Sequence, residues 1–424
     1  MLRLRPSLLC SAVILPLLFL ASCGGDKPKA TTPPVTATTP TTQGSTTSSS
    51  TVTESPRSYT ANTTRIDAAD PAAVAASTAL TMYPSTAKDL RPTAVAFAGA
   101  DDWRSILLAS SFAAKPLGFP LLLTENGKLP PVSANALALL QPKGSRAMNE
   151  AQGIRIGVST RPGNFRTRYL TSVTPAGLAQ QVDEQLTKAR GRASSRILLV
   201  NSDDAASAAP AAAWAARSGD PILFTTSGSI PAETKAAIAT HQNPRIYVLG
   251  GPETVSSFVI RSLQAIPGVS VFRITPSAAA GGSTEGGPAD LAIAFAKYSD
   301  RDMGFNYNLP GHGFVFASTK DPTSAMAAAA LSSGGQYPAL LYVDRPDHLE
   351  ANVKSYLLDE QPGYDSNHPA TQGFYNHGWI IGPTTAIEAS TQARIDSLLE
   401  IVQTDNPNAL GDSPDTATQT EASP

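Results

Sequence analysis

The sequence predicts an α/β protein of three tandem domains, each a Rossmann-like or flavodoxin-like parallel sheet with helices on both faces. Three observations carry that expectation. First, apolar runs alternate with helical segments from Arg196 to Leu263. The order is Arg196-Ile-Leu-Leu-Val-Asn, an alanine-rich helix through Arg217, Pro221-Ile-Leu-Phe-Thr-Thr, a helix opened by Ile230-Pro231, Arg245-Ile-Tyr-Val-Leu-Gly-Gly, and a helix from Pro252. Strands that are apolar throughout belong to sheets buried on both faces, and their alternation with helices implies parallel pairing.

Second, the same block recurs upstream, from Thr93-Ala-Val-Ala-Phe-Ala-Gly, and downstream, from Gly313-Phe-Val-Phe-Ala-Ser. Seventeen residues separate Asp204 from Pro221 and Asp321 from Pro338, and eighteen separate Asp102 from Pro120, so the register of one strand and one helix is kept. Third, Asp70-Pro71, Thr174-Pro175 and Gly287-Pro288 each place a capping-type residue before a proline. At the first helical position the missing N–H costs nothing and the fixed φ suits the helix. Starts about a hundred residues apart define three domains of ordinary size.

The expected boundaries are 61–159, 160–272 and 273–403. Copy one spans about Arg65 to Ser159 and departs from the pattern after Leu140, where the last helix is missing and Ile154-Arg-Ile-Gly substitutes for the last strand. Copy two is complete. Copy three adds loops at Ser299 to His312 and Gln361 to Gly378 that mix aromatic and polar residues, and it ends on Gly378-Trp-Ile-Ile-Gly-Pro and a helix from Ala386 to Ile401.

At Asp203-Asp204, Pro221-Ile-Leu-Phe-Thr, Ile230-Pro231 and Val248-Leu-Gly-Gly-Pro-Glu-Thr-Val-Ser the chain resembles the cell wall-binding repeat 2 family, whose members usually carry three copies. Arg168-Tyr-Leu-Thr-Ser is similar to the family's opening, of which Arg65-Ile and Arg273-Ile keep only the first part. The resemblance implies a disc of three domains with approximate threefold symmetry. It also implies wall-polymer attachment near the buried strands Leu121 to Leu123, Ile222 to Phe224 and Ala339 to Leu341. Thr124 and Thr225 would then line the inner face, and Arg104, Lys128, Arg217 and Lys320 become the candidate polymer contacts.

The two ends read differently. Met1 to Ser22 has a basic start at Arg3 and Arg5 and an apolar core from Leu8 to Leu20, too short for a membrane span, which fits a cleaved signal over 1–22. Leu20-Ala-Ser-Cys23 resembles the bacterial lipobox, so Cys23 would be lipidated and anchor the chain to the extracytoplasmic face of the membrane. Removal of the segment holding Cys10 and acylation of Cys23 would leave no thiol for a disulfide, metal site or nucleophile. From Thr31 to Pro56, 20 of 26 residues are Thr, Ser or Pro, so 23–60 is expected to be an unfolded stalk and 404–424 an unfolded tail.

Composition and motifs narrow the chemistry. A formal charge of -2 argues against nucleic acid as partner, because phosphate binding needs clustered positive charge. Asp101, Asp102, Asp203, Asp204 and Asp321 follow first strands, where open α/β sheets place ligands; the N-cap requirement of the following helices alone accounts for their recurrence and is the preferred reading. Gly250-Gly251 lacks the third glycine and downstream acid of a dinucleotide fingerprint. His312, His348, His368 and His377 lack metal-binding spacing, and Ser105, Ser207 and Ser324 lack a nucleophile elbow. No catalytic residue, metal or cofactor is therefore expected. The first reading is a non-catalytic envelope lipoprotein that binds wall polysaccharide or an anionic polymer through three repeats, and that is compatible with assisting a wall hydrolase. The rival is a solute-binding or enzymatic role for the copy-three loops, with Tyr307 and Tyr375 as ligand contacts.

Overall fold

The computed structural model of the chain describes residues 57–84, 87–276 and 286–405. The expected signal, Cys23 and nearly all of the stalk lie outside the described residues. Copy one opens with strands β1 (Arg57–Tyr59) and β2 (Thr63–Ile66) and helix α1 (Pro71–Met82). It continues through β3 (Val95–Gly99), α2 (Trp103–Ser110), β4 (Leu121–Thr124), α3 (Pro131–Leu140) and β5 (Gly153–Ile156). Among the described residues the chain passes from β5 to the next strand with no helix between them.

Copy two is β6 (Thr167–Leu170), α4 (Pro175–Arg190), β7 (Arg196–Asn201), α5 (Ala205–Ser218), β8 (Ile222–Thr225), α6 (Ala232–Ile238), β9 (Arg245–Leu249) and α7 (Ser257–Gln264). Copy three is β10 (Ser270–Ile274), α8 (Pro288–Lys297), β11 (Gly313–Ser318), α9 (Pro322–Ala327), β12 (Ala339–Val343), α10 (Ala351–Asp359), β13 (Gly363–Tyr364), β14 (His377–Ile381), α11 (Ala389–Leu399) and β15 (Val402–Gln403).

The fold class is the α/β arrangement of parallel sheets and helices that the periodicity predicts, but the sheets do not follow the copies. The sheet orders are β6-β5-β3-β4, β10-β9-β7-β8 and β2-β14-β11-β12, all parallel, with β1 added antiparallel at the outer edge of the last. Thus the first strand of copy two completes the sheet of copy one, and the first strand of copy three completes that of copy two. The first strands of the chain complete the sheet of copy three, so Thr63–Ile66 lies beside His377–Ile381. A copy's last strand would otherwise present an open edge of unpaired backbone groups, and the strand supplied by the next copy covers it.

Packing repeats in the same cyclic sense. The first helix of each copy lies on the second helix of the copy before it: α4 on α2, α8 on α5, and α1 on α9. The second helices α2, α5 and α9 also pack against one another. Their composition permits this, since Ala208, Ala209, Ala211, Ala212, Ala215 and Ala216 of α5 are all fully buried and small side chains let backbones approach closely. One apolar cluster runs through all three copies, while a smaller one, with Phe97, Leu122 and Leu140, fills the outer layer of copy one.

Several expected boundaries move. The folded part already includes residues 57–60, inside the expected stalk, because β1 pairs with β2. It extends past 403, because Thr404 donates its N–H to Tyr364 O at 2.8 Å and Asp405 accepts from Ser366 N at 3.0 Å. The last helix of copy two starts at Ser257 rather than Pro252, since Ser256 Oγ accepts from Val259 N and is the N-cap. The corresponding helix of copy three starts at Ala389.

Candidate functional site

Three of the five aspartates are caps, whereas Asp203 stands exposed beside Arg104 and Asp101 caps no helix. Asp102 Oδ1 accepts from Arg104 N at 3.2 Å, Asp204 from Ser207 N at 3.0 Å and Asp321 from Ser324 N at 3.0 Å, each at the start of one of the three central helices. Carboxylates here satisfy free N–H groups and are favoured by the helix dipole. Because the helices pack together, their N-termini converge at the C-terminal ends of the strands. Tyr342 Oη donates to Ala206 O at 2.9 Å in that convergence, and burial followed by the charges of Asp204, Asp321 and Asp344 pushes its pKa well up.

The four basic candidates do not share a surface. Arg104, at the convergence, stacks 4.7 Å over Trp103 and donates from Nε to Ser202 O at 2.7 Å, with Asp203 at 3.5 Å. Lys128 and Lys320 are exposed at the same strand ends, Lys128 in the tight turn closed by Glu125. Arg217 sits in the last turn of α5, at the opposite end, over the rings of Trp214, Phe305 and Tyr337 at 5.0–5.5 Å. The inner-strand candidates are closed off. Leu121 to Leu123 are buried, as are Thr124, whose hydroxyl donates to Ala98 O, and Thr225, whose hydroxyl donates to Ser229 O.

The opening arginines have a structural task that spacing alone did not show. Arg65 is 1% exposed and donates to Gln392 Oε1 at 2.8 Å, Gly382 O at 2.8 Å and Ile387 O at 2.7 Å. It therefore ties β2 to the Gly-Pro turn after β14. Arg273 makes the equivalent bond to Val255 O, after Gly250-Gly251-Pro252 in copy two. Copy one has no such turn, and Arg168 stays half-exposed there. The recurrence of an arginine at the three openings was the signal available in the sequence.

The N-terminal ends of the strands hold three equivalent boundaries between copies, and each is treated differently. Between copies one and two the Arg190 guanidinium lies against Gly219, whose positive φ of 72° and missing Cβ make room for it, near Ala114. Between copies two and three the space is taken by the loop after α8. Phe305 meets Trp214 edge-on at 5.4 Å, Asp300 accepts from Arg245 Nη2 at 3.1 Å and Tyr247 Oη at 2.9 Å, and Asp302 O accepts from Arg196 at 3.0 Å. Burial alone would raise the Asp300 pKa, yet the amides of Asp302 and Met303, with Tyr247 and Arg245, hold it down at about 2.

This loop corrects the expectation for Tyr307, which is 3% exposed, donates to Gln336 O and Tyr337 O, and stacks on His312 at 3.8 Å. Tyr307 is thus buried behind Phe305 in the packing of copy three instead of standing on an exposed loop surface. Tyr375, by contrast, is 49% exposed, beside the exposed Phe374. Asn376 behind it is buried and accepts from Gly311 N and His312 N, which fixes the second loop to the first.

Between copies three and one, the third boundary is an open cleft of about 960 Å³. Trp379 and His377, at the start of β14, stand edge to face at 5.4 Å on its copy-three side, and Arg91 and Lys115 lie on its copy-one side. Among the described residues no group of three or more His, Cys, Asp or Glu is placed to hold a metal, and no helix is long and apolar enough to cross a membrane.

Against known proteins, the copy-two region 166–260 matches the family profile described as Cell wall binding domain 2 (CWB2). The chain has no match among curated proteins. Among solved structures it is similar to Cwp6 from Clostridium difficile, with a TM-score of 0.60 and 14% identity over 82% of this chain and 50% of that one. It is also similar to Cwp8 from Clostridium difficile, with a TM-score of 0.56 and 14% identity over 80% of this chain and 52% of that one. The chain thus spans about half the length of each, and at this identity the likeness is one of fold. With the middle copy matched over 166–260 and the fold shared across most of the described residues, the family to which this chain shows its similarity is cell wall binding domain 2.

Proposed function

We propose that the protein is a non-catalytic binding protein of the cell envelope that attaches to a wall polymer. The single observation that carries this reading is the match of copy two to Cell wall binding domain 2, in a chain whose other two copies repeat its topology. The groups that first suggested chemistry support it too: Asp102, Asp204 and Asp321 cap helices, and Tyr307 and Arg65 are spent on packing and on joining copies. In the same reading the three copies form an approximately threefold body, Cys23 is acylated, and the Thr, Ser and Pro-rich segment holds the body away from the membrane surface, where it can also serve a wall hydrolase.

Sedimentation tests the proposal. The full chain is mixed with isolated cell-wall sacculi before and after acid extraction of their anionic polymers. Pelleting with native walls is the expected result, and loss of pelleting on extraction identifies the charged polymer as the ligand. A chain that stays in the supernatant with both preparations, while a known wall binder pellets, sinks the proposal.

A further inference from the structure

The open boundary between copies three and one continues into a second depression of about 320 Å³, and the two share Arg91. The second is lined by Lys88 and Lys143 as well. Together the two depressions present Lys115, Arg91, Lys88 and Lys143; among the described residues neither has an Asp or Glu in its lining, while Asp89 neighbours Lys88 and its carbonyl accepts from Lys143 Nζ at 3.0 Å. The chain as a whole carries 34 acidic against 32 basic residues, so a track lined by four cations departs from its surroundings. Clefts lined by one sign of charge between low-dielectric walls focus the field and attract the opposite charge.

The other end of the track differs in chemistry. Trp379 and His377 provide flat rings, and Gly334 and Gly335 leave open space beside them where a side chain would stand. An indole is a rigid apolar face, suited to the C–H face of a sugar ring, and it carries a polar N–H at its edge. The exposed Tyr375 extends the aromatic surface outward, tied to the rim by Gln336 Nε2 donating to Tyr375 O at 2.7 Å.

We infer that this boundary is the polymer site: one extended glycan bearing negative charges lies across it, a sugar ring on Trp379 and its anionic groups along Lys115, Arg91, Lys88 and Lys143. The inference rests on the wall-binding reading and adds to it that binding is asymmetric, one site per chain, because the two equivalent boundaries are sealed by Arg190 and by Phe305 with Tyr307.

The test uses the full chain, native sacculi, and polymer released from those walls by acid. Released polymer is titrated against tryptophan fluorescence in the wild type, Trp379→Phe, and Lys88→Glu/Lys115→Glu. The two lysines are exposed, so the double variant keeps its fold, checked by an unchanged melting curve. The expected results are one site per chain, a signal change lost in Trp379→Phe, at least tenfold weaker binding in the double variant, and weakening by added salt. A double variant that binds released polymer and native walls like the wild type overturns the inference while wall binding stands. Equal binding to acid-extracted walls also overturns it, since the ligand is then uncharged. Failure of the wild type to pellet with native walls removes the wall-binding reading, and the inference with it.

Discussion

The boundary between copies two and three and the boundary between copies three and one are built from the same elements, yet one is sealed and the other open. At each, the end of a first helix meets the end of the preceding copy's second helix beneath the starts of its strands. In copy three the chain leaving α8 turns inward, burying Phe305 and Tyr307 and meeting Arg196 and Arg245 with Asp302 and Asp300. In copy one the segment leaving α1 carries Tyr83 and Arg91 along the rim of the cleft instead. The lesson is that repeated topology fixes where a boundary lies, while the one connecting loop decides whether it is core or surface.

The largest way to break this comparison is Phe305→Ala, which removes a buried ring wedged against Trp214 and Phe295. The expected cost is about 4 kcal/mol, from lost burial and the cavity left behind, read by urea unfolding. A loss under about 1 kcal/mol would mean that the loop lies on the boundary without holding it.

Next comes Arg65→Met, expected to cost about 3 kcal/mol because three buried acceptors lose their donor together. The matching Arg168→Met, at a half-exposed position facing no Gly-Pro turn, is expected to stay within about 0.5 kcal/mol. Equal effects would show that the opening arginine acts within its own strand and not as a tie between the ends of the chain.

Asp300→Asn sharpens the comparison through pH. The folded-state pKa of Asp300 is depressed to about 2 from an ordinary 3.8. The carboxylate therefore contributes stability that is fully present above about pH 4 and is lost as pH falls through about 2. The contribution at neutral pH is about 2 kcal/mol, and acid titration of the unfolding free energy should flatten in that window in the variant. A smaller loss than that of Asp300→Asn belongs to Asp204→Ala, a cap common to all copies, at about 1 kcal/mol by thermal melt with no change in wall binding. A change in wall binding there would return the converging helix N-termini to the list of ligand sites.

Much of the fold was legible because apolar strands and capped helices are local patterns. The spacing from Asp204 to Pro221, repeated at Asp321 and Pro338, marks one strand and one helix wherever it occurs. The site was less legible. Tyr307 and Tyr375 look alike in sequence, each an aromatic among polar loop residues, and only the packing of Tyr307 on His312 and Phe305 separates them. Lys88, Arg91, Lys115 and Lys143 are scattered singly along copy one, and nothing in their spacing places them beside Trp379.

By itself, then, the sequence determined the alternation of strands and helices, the helix caps and the missing helix after Ile154-Arg-Ile-Gly. Those follow from apolar periodicity, proline positions and side chains that bond within a few residues of themselves. Tertiary structure alone decided that each opening strand joins the preceding sheet, that Thr63–Ile66 pairs with His377–Ile381, and that two boundaries close while one stays open. The physical reason is distance along the chain: an open strand edge or an unfilled boundary is satisfied by whichever segment the fold brings to it, and local patterning carries no information about a partner some three hundred residues away.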